Sequence, residues 1–273
     1  AFVFDLWNPQ SGWDRQKLES EFDLRVAQDH TFITGIARAI GPLVKYFSAT
    51  GHGPALELAL TLASMATSEY FLPDGAYNRE KFGQHTHSTT CVMSSLAQLA
   101  DLTADSALLG RVRAFYDNGL WDIRDGLGWV IENSNDDSPP DRGECNNTGD
   151  IVETALILGR RGYPEYFQDA ERIIRGHLLP AQLRDNSFIL DPPNPSSEDG
   201  LREVAERHVG AFGFPAPYGH RPLGLERVSF NMDIVGGAVA SLCEVLREAA
   251  MTTTHGHAVN LMFDHLSESL RVE

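Results

Sequence analysis

Long apolar runs are missing from this 273-residue sequence. None approaches the ~20 residues that a membrane-crossing helix needs, so no membrane partner is expected. Basic residues are few: 22 Lys and Arg stand against 38 Asp and Glu, for a net charge of −16. Binding to nucleic acid requires clustered cations that displace counterions. No dense basic run occurs, so nucleic acid is excluded as a partner. Cysteine is rare, and Cys91, Cys145 and Cys243 match no zinc-finger spacing. P-loop, Rossmann, HExxH and Gly-x-Ser-x-Gly signatures are all lacking. The N-terminal AFVFDLWNPQSGWD has neither the basic n-region nor the small-residue cleavage site of a signal peptide. Composition therefore predicts a soluble protein and leaves its compartment open between cytoplasm, periplasm and medium.

What the sequence does have is helical periodicity. Phe32, Ile33, Ile36, Ile40, Leu43, Val44 and Phe47 form one apolar face between Asp29 and Phe47. After the turn SATGHG, Pro54 suits the first turn of a partner helix carrying Leu58, Leu62 and Met65. A second pair begins near Ser88, with Val92, Leu96 and Leu99, and returns through Leu108, Leu109, Val112, Phe115 and Tyr116. A third opens with Thr148 or Gly149 as N-cap, stops at Gly162 and returns from Pro164 to Leu178. These pairs recur about every 60 residues, which implies stacked helix–turn–helix units. A fourth helical stretch covers Phe230 to Ala249, where Gly236 and Gly237 would permit close packing. The expected fold is all-α, an α/α toroid over residues 1–254. Residues 255–273 form a terminal segment in which Val259, Leu261 and Phe263 alternate as in a β-strand. Such a strand would pair with the N-terminal AFVFDL or open a β-domain.

Two clusters carry candidate chemistry. His85 and His87 in GQHTHSTT precede a helix and suit hydrogen bonding to a polar ligand. The sequence shows no third ligand beside them, so no metal is expected. The loop from Ile123 to Asn147 holds Glu132, Asp136, Asp137, Asp141 and Glu144. Glycoside cleavage uses two carboxyl groups, one with a raised pKa. Glu132 follows Trp129, Val130 and Ile131, which makes it the general-acid candidate, with Glu144 as its partner. Asp136 and Asp137 read as solvated loop acids. Asp150 reads as a first-turn acid favoured by the helix dipole. Trp7, Trp13, Trp121 and Trp129 fall outside the helical stripes, where an indole can stack on a sugar or simply pack.

The stretches GQHTHSTTCVMSSLAQLADLTADSALLGRVRAFYD, GWVIE and GECNNTGDIVETALILGRRGYPEYFQDAERIIRGHLLPAQL resemble the six-hairpin glycosidase superfamily. Within it they are similar to proteins related to the β-L-arabinofuranosidases of glycoside hydrolase family 127. The likeness runs from about Asp29 onward and is best between Gly83 and Leu183. It implies a toroid of about six hairpins, of which about four are legible. It also makes HAVNLMFDHLSESLRVE similar to the first strand of a following β-sandwich. Glu132 takes the place of the family's acid/base. The family's zinc is held by Glu-x-Cys and a later Cys-Cys pair. Here Glu144 fits the glutamate, but Cys145 follows directly and Asn146 stands where the cysteine belongs. The later stretch reads SFNMDIVGG, with Asn231, Met232 and Asp233 in place of a cysteine pair. The pattern does not support zinc, and no cofactor is expected.

These readings together predict a glycoside hydrolase acting on oligo- or polysaccharides. Glu132 and Glu144 would be catalytic, and His85, His87, Trp129, Cys145 and Asn146 would contact substrate. The alternatives are a uronate-acting lyase or unsaturated-uronyl hydrolase, with Arg124, Arg142 and Arg221 supplying positive charge, and a non-catalytic carbohydrate-binding toroid.

Overall fold

The apolar spacing becomes helix almost wherever it occurs. The computed structural model describes residues 2–8, 10, 12–24, 31–134, 143–187, 189–191, 193–212, 232–266 and 270–272. Among these, seven helices reach nine residues or more: α1 (Ile40–Thr50), α2 (Gly53–Glu69), α3 (Thr86–Thr103), α4 (Ser106–Asp117), α5 (Cys145–Arg160), α6 (Glu165–Ile173) and α7 (Met232–Ala249). Local signals set most of their limits. Gly51 ends α1 in the left-handed region (φ 69°), and its N–H bonds to the Phe47 carbonyl at 2.7 Å. Pro54 sits in the first turn of α2. The Asp105 carboxylate accepts the N–H groups of Ala107 and Leu108, both at 2.9 Å, and so starts α4.

The helices form two layers. In the inner layer α1 packs on α3, α3 on α5 and α5 on α7. In the outer layer α2 backs α1, α4 backs α3 and α6 backs α5. This makes three hairpins and an additional helix. The middle helices are buried around most of their circumference, as a helix covered on both sides must be. Their shared seam is polar. Ser94 Oγ and Gln98 Nε2 donate to Glu153 at 2.5 and 3.0 Å, and Thr90 Oγ1 donates to Asp150 at 2.8 Å. Gly149 and Gly237 let α5 and α7 approach closely. A Cβ at Gly149 would meet Ser241 Oγ at 2.3 Å, and one at Gly237 would meet Asn146 Cβ at 2.9 Å. The close-packing reading therefore holds for Gly237, whereas Gly236 faces open space.

Three sequence expectations need correction. First, α5 begins at Cys145, with Glu144 as its N-cap, and not at Thr148 or Gly149. The apolar stripe starts only at Ile151, but tertiary burial extends the helix one turn upstream. Second, only Ile36–Ala39 (a 3-10 turn) and Ile40 onward are helical in the first stretch. Asp29 lies outside the described residues. Third, the C-terminal strand is Gly256–Val259, and it pairs antiparallel with Ala250–Thr253. AFVFDL cannot be its partner, because Phe2–Leu6 is a short helix. Leu261 is fully buried against the helices and leaves the strand pattern. A short hairpin, His265–Leu266 with Arg271–Val272, follows.

Candidate functional site

The site forms where the starts of α3 and α5 meet beside residues 131–134. An aromatic cluster anchors the approach to α3. Phe82 is fully buried, with its ring centroid 5.3 Å from that of Phe71 and 5.5 Å from that of Phe115. Each such ring pair contributes about 0.5–1.5 kcal/mol beyond area burial. Thr31 Oγ1 holds the Phe82 carbonyl at 2.9 Å. The chain emerging from this anchor is then paired with residues 130–134 of the loop. His85 bridges Asn133, and the Thr86 N–H donates to the Glu132 carbonyl at 3.1 Å. The Ser134 N–H donates to the Gln84 carbonyl at 2.9 Å. On its other side the same rib bridges Ile131 to Gly143. One extended rib thus links the histidines to the start of α5.

That linkage brings His85, His87 and Glu144 together. His85 Nε2 lies 3.6 Å from Glu144 Oε1, and His87 Nδ1 lies 3.5 Å from Glu144 Oε2. His85 is half-exposed, and its Nδ1 hydrogen-bonds with Ser88 Oγ at 2.9 Å. His87 is buried, with Asn146 Nδ2 at 3.2 Å from its Nδ1 and Asp150 Oδ2 at 3.6 Å from its Nε2. Burial pushes the Glu144 carboxyl up, but the two imidazoles and Asn146 outweigh it and hold the group below the usual carboxylate range. Asp150 moves the other way. Burial, with nearby Glu153 adding to it, raises its carboxyl well above the ordinary value despite the Thr90 hydrogen bond.

Beside this cluster an open cleft of about 570 Å³ has Arg38, His87, Cys91, Asn146 and Asp150 in its wall. Asp150 is a second correction that follows from the helix start. It is the sixth residue of α5, not a first-turn acid, and its carboxyl faces His87. Asn146 and Asp150 stand four apart, hence on one helix face, a relation visible only once α5 is known to begin at Cys145. Arg38, which comes from the turn before α1, was also not identified in the sequence. Glu132 is half-buried on the rib, and its carbonyl caps Thr86.

Other expected contacts lie elsewhere. Trp129 is 9% exposed and packs on Gly143, whose added Cβ would fall 2.9 Å from the indole Cε2. It supports the loop carrying Glu144 and leaves little ring face for a sugar. Cys145 has no exposed surface, which removes it from substrate contact. Burial, together with the Glu144 charge, pushes its thiol up to about 12. Arg124 is also buried. It is paired with Asp169 at 3.0 Å and lies over the Trp121 ring at 4.1 Å, so it is structural. Trp7 is buried and Trp13 packs against the core, while Trp121 is exposed. Asp136, Asp137, Asp141, Arg142, Arg221 and Asn231 lie outside the described residues, as do the side chains of Met232 and Asp233.

A three-thiolate zinc of the resembled kind does not fit. Cys145 is sealed in the core, Cys91 is in the cleft wall with its thiol pushed up to about 12, and Cys243 is exposed on α7. The set that could hold a metal ion among the described residues is His85, His87 and Glu144, whose ligand atoms lie within 4.8 Å of one another.

No family model matches the chain, and no curated protein matches it in sequence. Solved structures do resemble it. Glycosyl hydrolase family 88 from Bacteroides vulgatus is similar at 13% identity and a TM-score of 0.51, covering 86% of this chain and 68% of that one. Cellobiose 2-epimerase from Bacillus thermoamylovorans B4167 has 18% identity and a TM-score of 0.44, covering 60% and 48%. Cellobiose 2-epimerase from Spirochaeta thermophila DSM 6192 has 16% identity and a TM-score of 0.39, covering 56% and 45%. The chain spans about half the length of the two epimerases. What the likeness establishes is the fold: this is an all-α chain of the α/α-toroid type.

Proposed function

We propose that the chain acts on carbohydrate as a glycoside hydrolase. The observation that carries this reading is the cleft at the starts of α3 and α5, with Asp150, His87 and Asn146 in one wall. Its volume of about 570 Å³ falls within the range of small-molecule sites. Hydrolysis of a glycosidic bond needs one carboxyl to protonate the leaving oxygen and a second to assist water or attack the sugar. Asp150 in the cleft wall and Glu132 on the rib are the pair we place in these roles. Glu132 also occupies the acid/base place in the resemblance to β-L-arabinofuranosidases, so β-L-arabinofuranosides head the substrate panel. Asn146 in the cleft wall supplies hydrogen bonds to sugar hydroxyls. Toroids of this fold include a protein described as a glycosyl hydrolase, which agrees with the reading.

The test is turnover of a glycoside panel by the wild type, Glu132→Gln and Asp150→Asn. Loss of either proton-transfer group lowers the rate by about 10²–10⁴. The variant lacking the donor keeps more activity on aryl glycosides with good leaving groups. Wild-type rates in both variants would overturn the assignment of residues. Sugar binding without turnover by the wild type would instead make this a carbohydrate-binding toroid. A uronate-acting enzyme is the second reading, favoured by Arg38 in the same cleft wall. Turnover confined to uronate-containing oligosaccharides, and lost in Arg38→Ala, would select it.

A further inference from the structure

We infer that His85, His87 and Glu144 form a binding site for one divalent transition-metal ion of the zinc type. The geometry supports a ligand set more than a hydrogen-bonded cluster. The two imidazole–carboxylate separations, 3.6 and 3.5 Å, are too long for good hydrogen bonds. One ligand atom from each of the three residues lies within 4.8 Å of the other two, so small side-chain adjustments bring them to the ~3.4 Å spacing that bonds of ~2.0–2.1 Å to nitrogen and oxygen impose around one tetrahedral ion. The donor set is chemically apt: two imidazoles and one carboxylate suit zinc, and a three-ligand protein site leaves a fourth position for water or a substrate hydroxyl.

The supports of each ligand are also in place. His85 Nδ1 is engaged by Ser88 Oγ at 2.9 Å, which turns Nε2 toward Glu144. His87 Nε2 faces Asp150 Oδ2 at 3.6 Å, so a carboxyl lies behind the second imidazole while Nδ1 points to Glu144. Glu144 is the N-cap residue of α5 and makes no side-chain capping bond, and its carboxylate faces the two imidazoles and the Asn146 amide. When the ion binds, His87 Nδ1 exchanges its contact with Asn146 Nδ2, 3.2 Å away, for coordination. Backbone pairing of His85 with Asn133 and of Gly143 with Ile131 holds the two ligand segments to one rib, so the ligands stand close together before an ion binds. This set uses no cysteine and is distinct from the thiolate zinc that the sequence resemblance implied.

The inference concerns the site used in the proposed function, but it stands or falls separately. Metal binding by a chain that cleaves no glycoside would leave it intact, and glycoside cleavage by a chain that binds no metal would refute it alone. The experiment is calorimetric titration of the chelator-dialysed 273-residue chain with Zn²⁺, with Co²⁺ absorption as a second probe. One equivalent binds, and Co²⁺ shows the intense visible bands of a tetrahedral site. His85→Ala, His87→Ala and Glu144→Gln each weaken binding by about 100-fold or more, beyond the ~10–100-fold typical of outer-shell changes. His52→Ala, at an exposed N-cap away from the cluster, leaves it unchanged. Circular dichroism confirms that each variant is folded, and the half-exposed His85 provides a variant that spares the core. No stoichiometric binding by the folded wild type, or unchanged affinity in both His85→Ala and Glu144→Gln, would overturn the inference.

Discussion

Replacing Gly143 with alanine tests whether the rib positions Glu144. The added Cβ would lie 2.4 Å from the Val130 carbonyl oxygen and 2.9 Å from Trp129 Cε2. The first of these neighbours is backbone, so no rotamer change relieves it. Its strand is pinned by the Arg124–Val130 and Ile131–Gly143 bridges, and Trp129 is itself buried. Overpacking of this kind costs about 1–3 kcal/mol. The gain from stiffening the unfolded chain, about 0.4–1 kcal/mol, offsets only part of it. A net loss of about 1–2 kcal/mol lowers Tm by roughly 2–8 °C in a domain of this size. The contrast is Gly110→Ala in α4. There an added Cβ meets nothing within 4 Å and φ is not positive. That change raises Tm, because alanine exceeds glycine by about 0.8–1 kcal/mol inside a helix. Thermal melts followed by circular dichroism, with calorimetry for the enthalpy, read both variants. Because Gly143 precedes Glu144 directly, Gly143→Ala also weakens Zn²⁺ binding, whereas Gly110→Ala does not. A Gly143→Ala protein that melts with the wild type and binds metal equally well would refute the rib as the positioning element.

Two further predictions concern other groups. Asp101 joins the end of α3 to Arg160, the last residue of α5, and to Arg161 just beyond it, and although burial pushes its carboxyl up, these guanidinium groups hold it below the usual Asp range. A depressed carboxyl adds stability that is present above the unfolded Asp pKa and is lost as pH falls through the folded value. Asp101→Asn should therefore lower Tm at neutral pH, and the difference should shrink as the solution is acidified below that range; a pH-independent difference would contradict the ion-pair account. Alkylation of the native chain at neutral pH should label exposed Cys243 first. Burial pushes the thiols of Cys145 and Cys91 up to about 12, so the reactive thiolate is scarce at pH 7 and both should react fully only after denaturation. Mass spectrometry showing native Cys145 modified as fast as Cys243 would contradict its burial.

The framework was legible because apolar residues recur at helical spacing and punctuation falls where it should. Gly51 with Pro54, Asp105, and Gly162 with Pro164 each mark a boundary that the structure keeps. The start of α5 was not legible, since Asn146, Asn147, Thr148 and Gly149 are weak helix formers. They are helical because they are buried between neighbouring helices, which is a property of tertiary packing. That miss concealed Asp150, whose role depends on counting helical positions from Cys145. His85, His87 and Glu144 were each singled out from the sequence. Their meeting was not foreseen, because α3 and α5 bring together residues roughly 60 positions apart, and helical period says nothing about which helices adjoin. Trp129 and Arg124 show the reverse error. Both sit in a loop that reads as exposed, yet the rib folds them inward.

Helix α6 does not simply end at Ile173: the chain continues as a π-turn over Ile174–Leu178. A turn of that width amounts to one inserted residue, and each helical residue advances the phase by about 100°. His177 lies within that turn, buried and hydrogen-bonded with Thr148 Oγ1 at 2.9 Å. Gly176, beside it, fits beneath Leu127, since a Cβ there would fall 2.7 Å from Leu127 Cδ2. The segment therefore behaves as a frame shift written in geometry. A gapless alignment with a relative that has a regular α-helix here would be out of register by one residue beyond Ile173. The matched position would carry the wrong side chain toward α5, so an orthologous counterpart of His177 must be sought one place away.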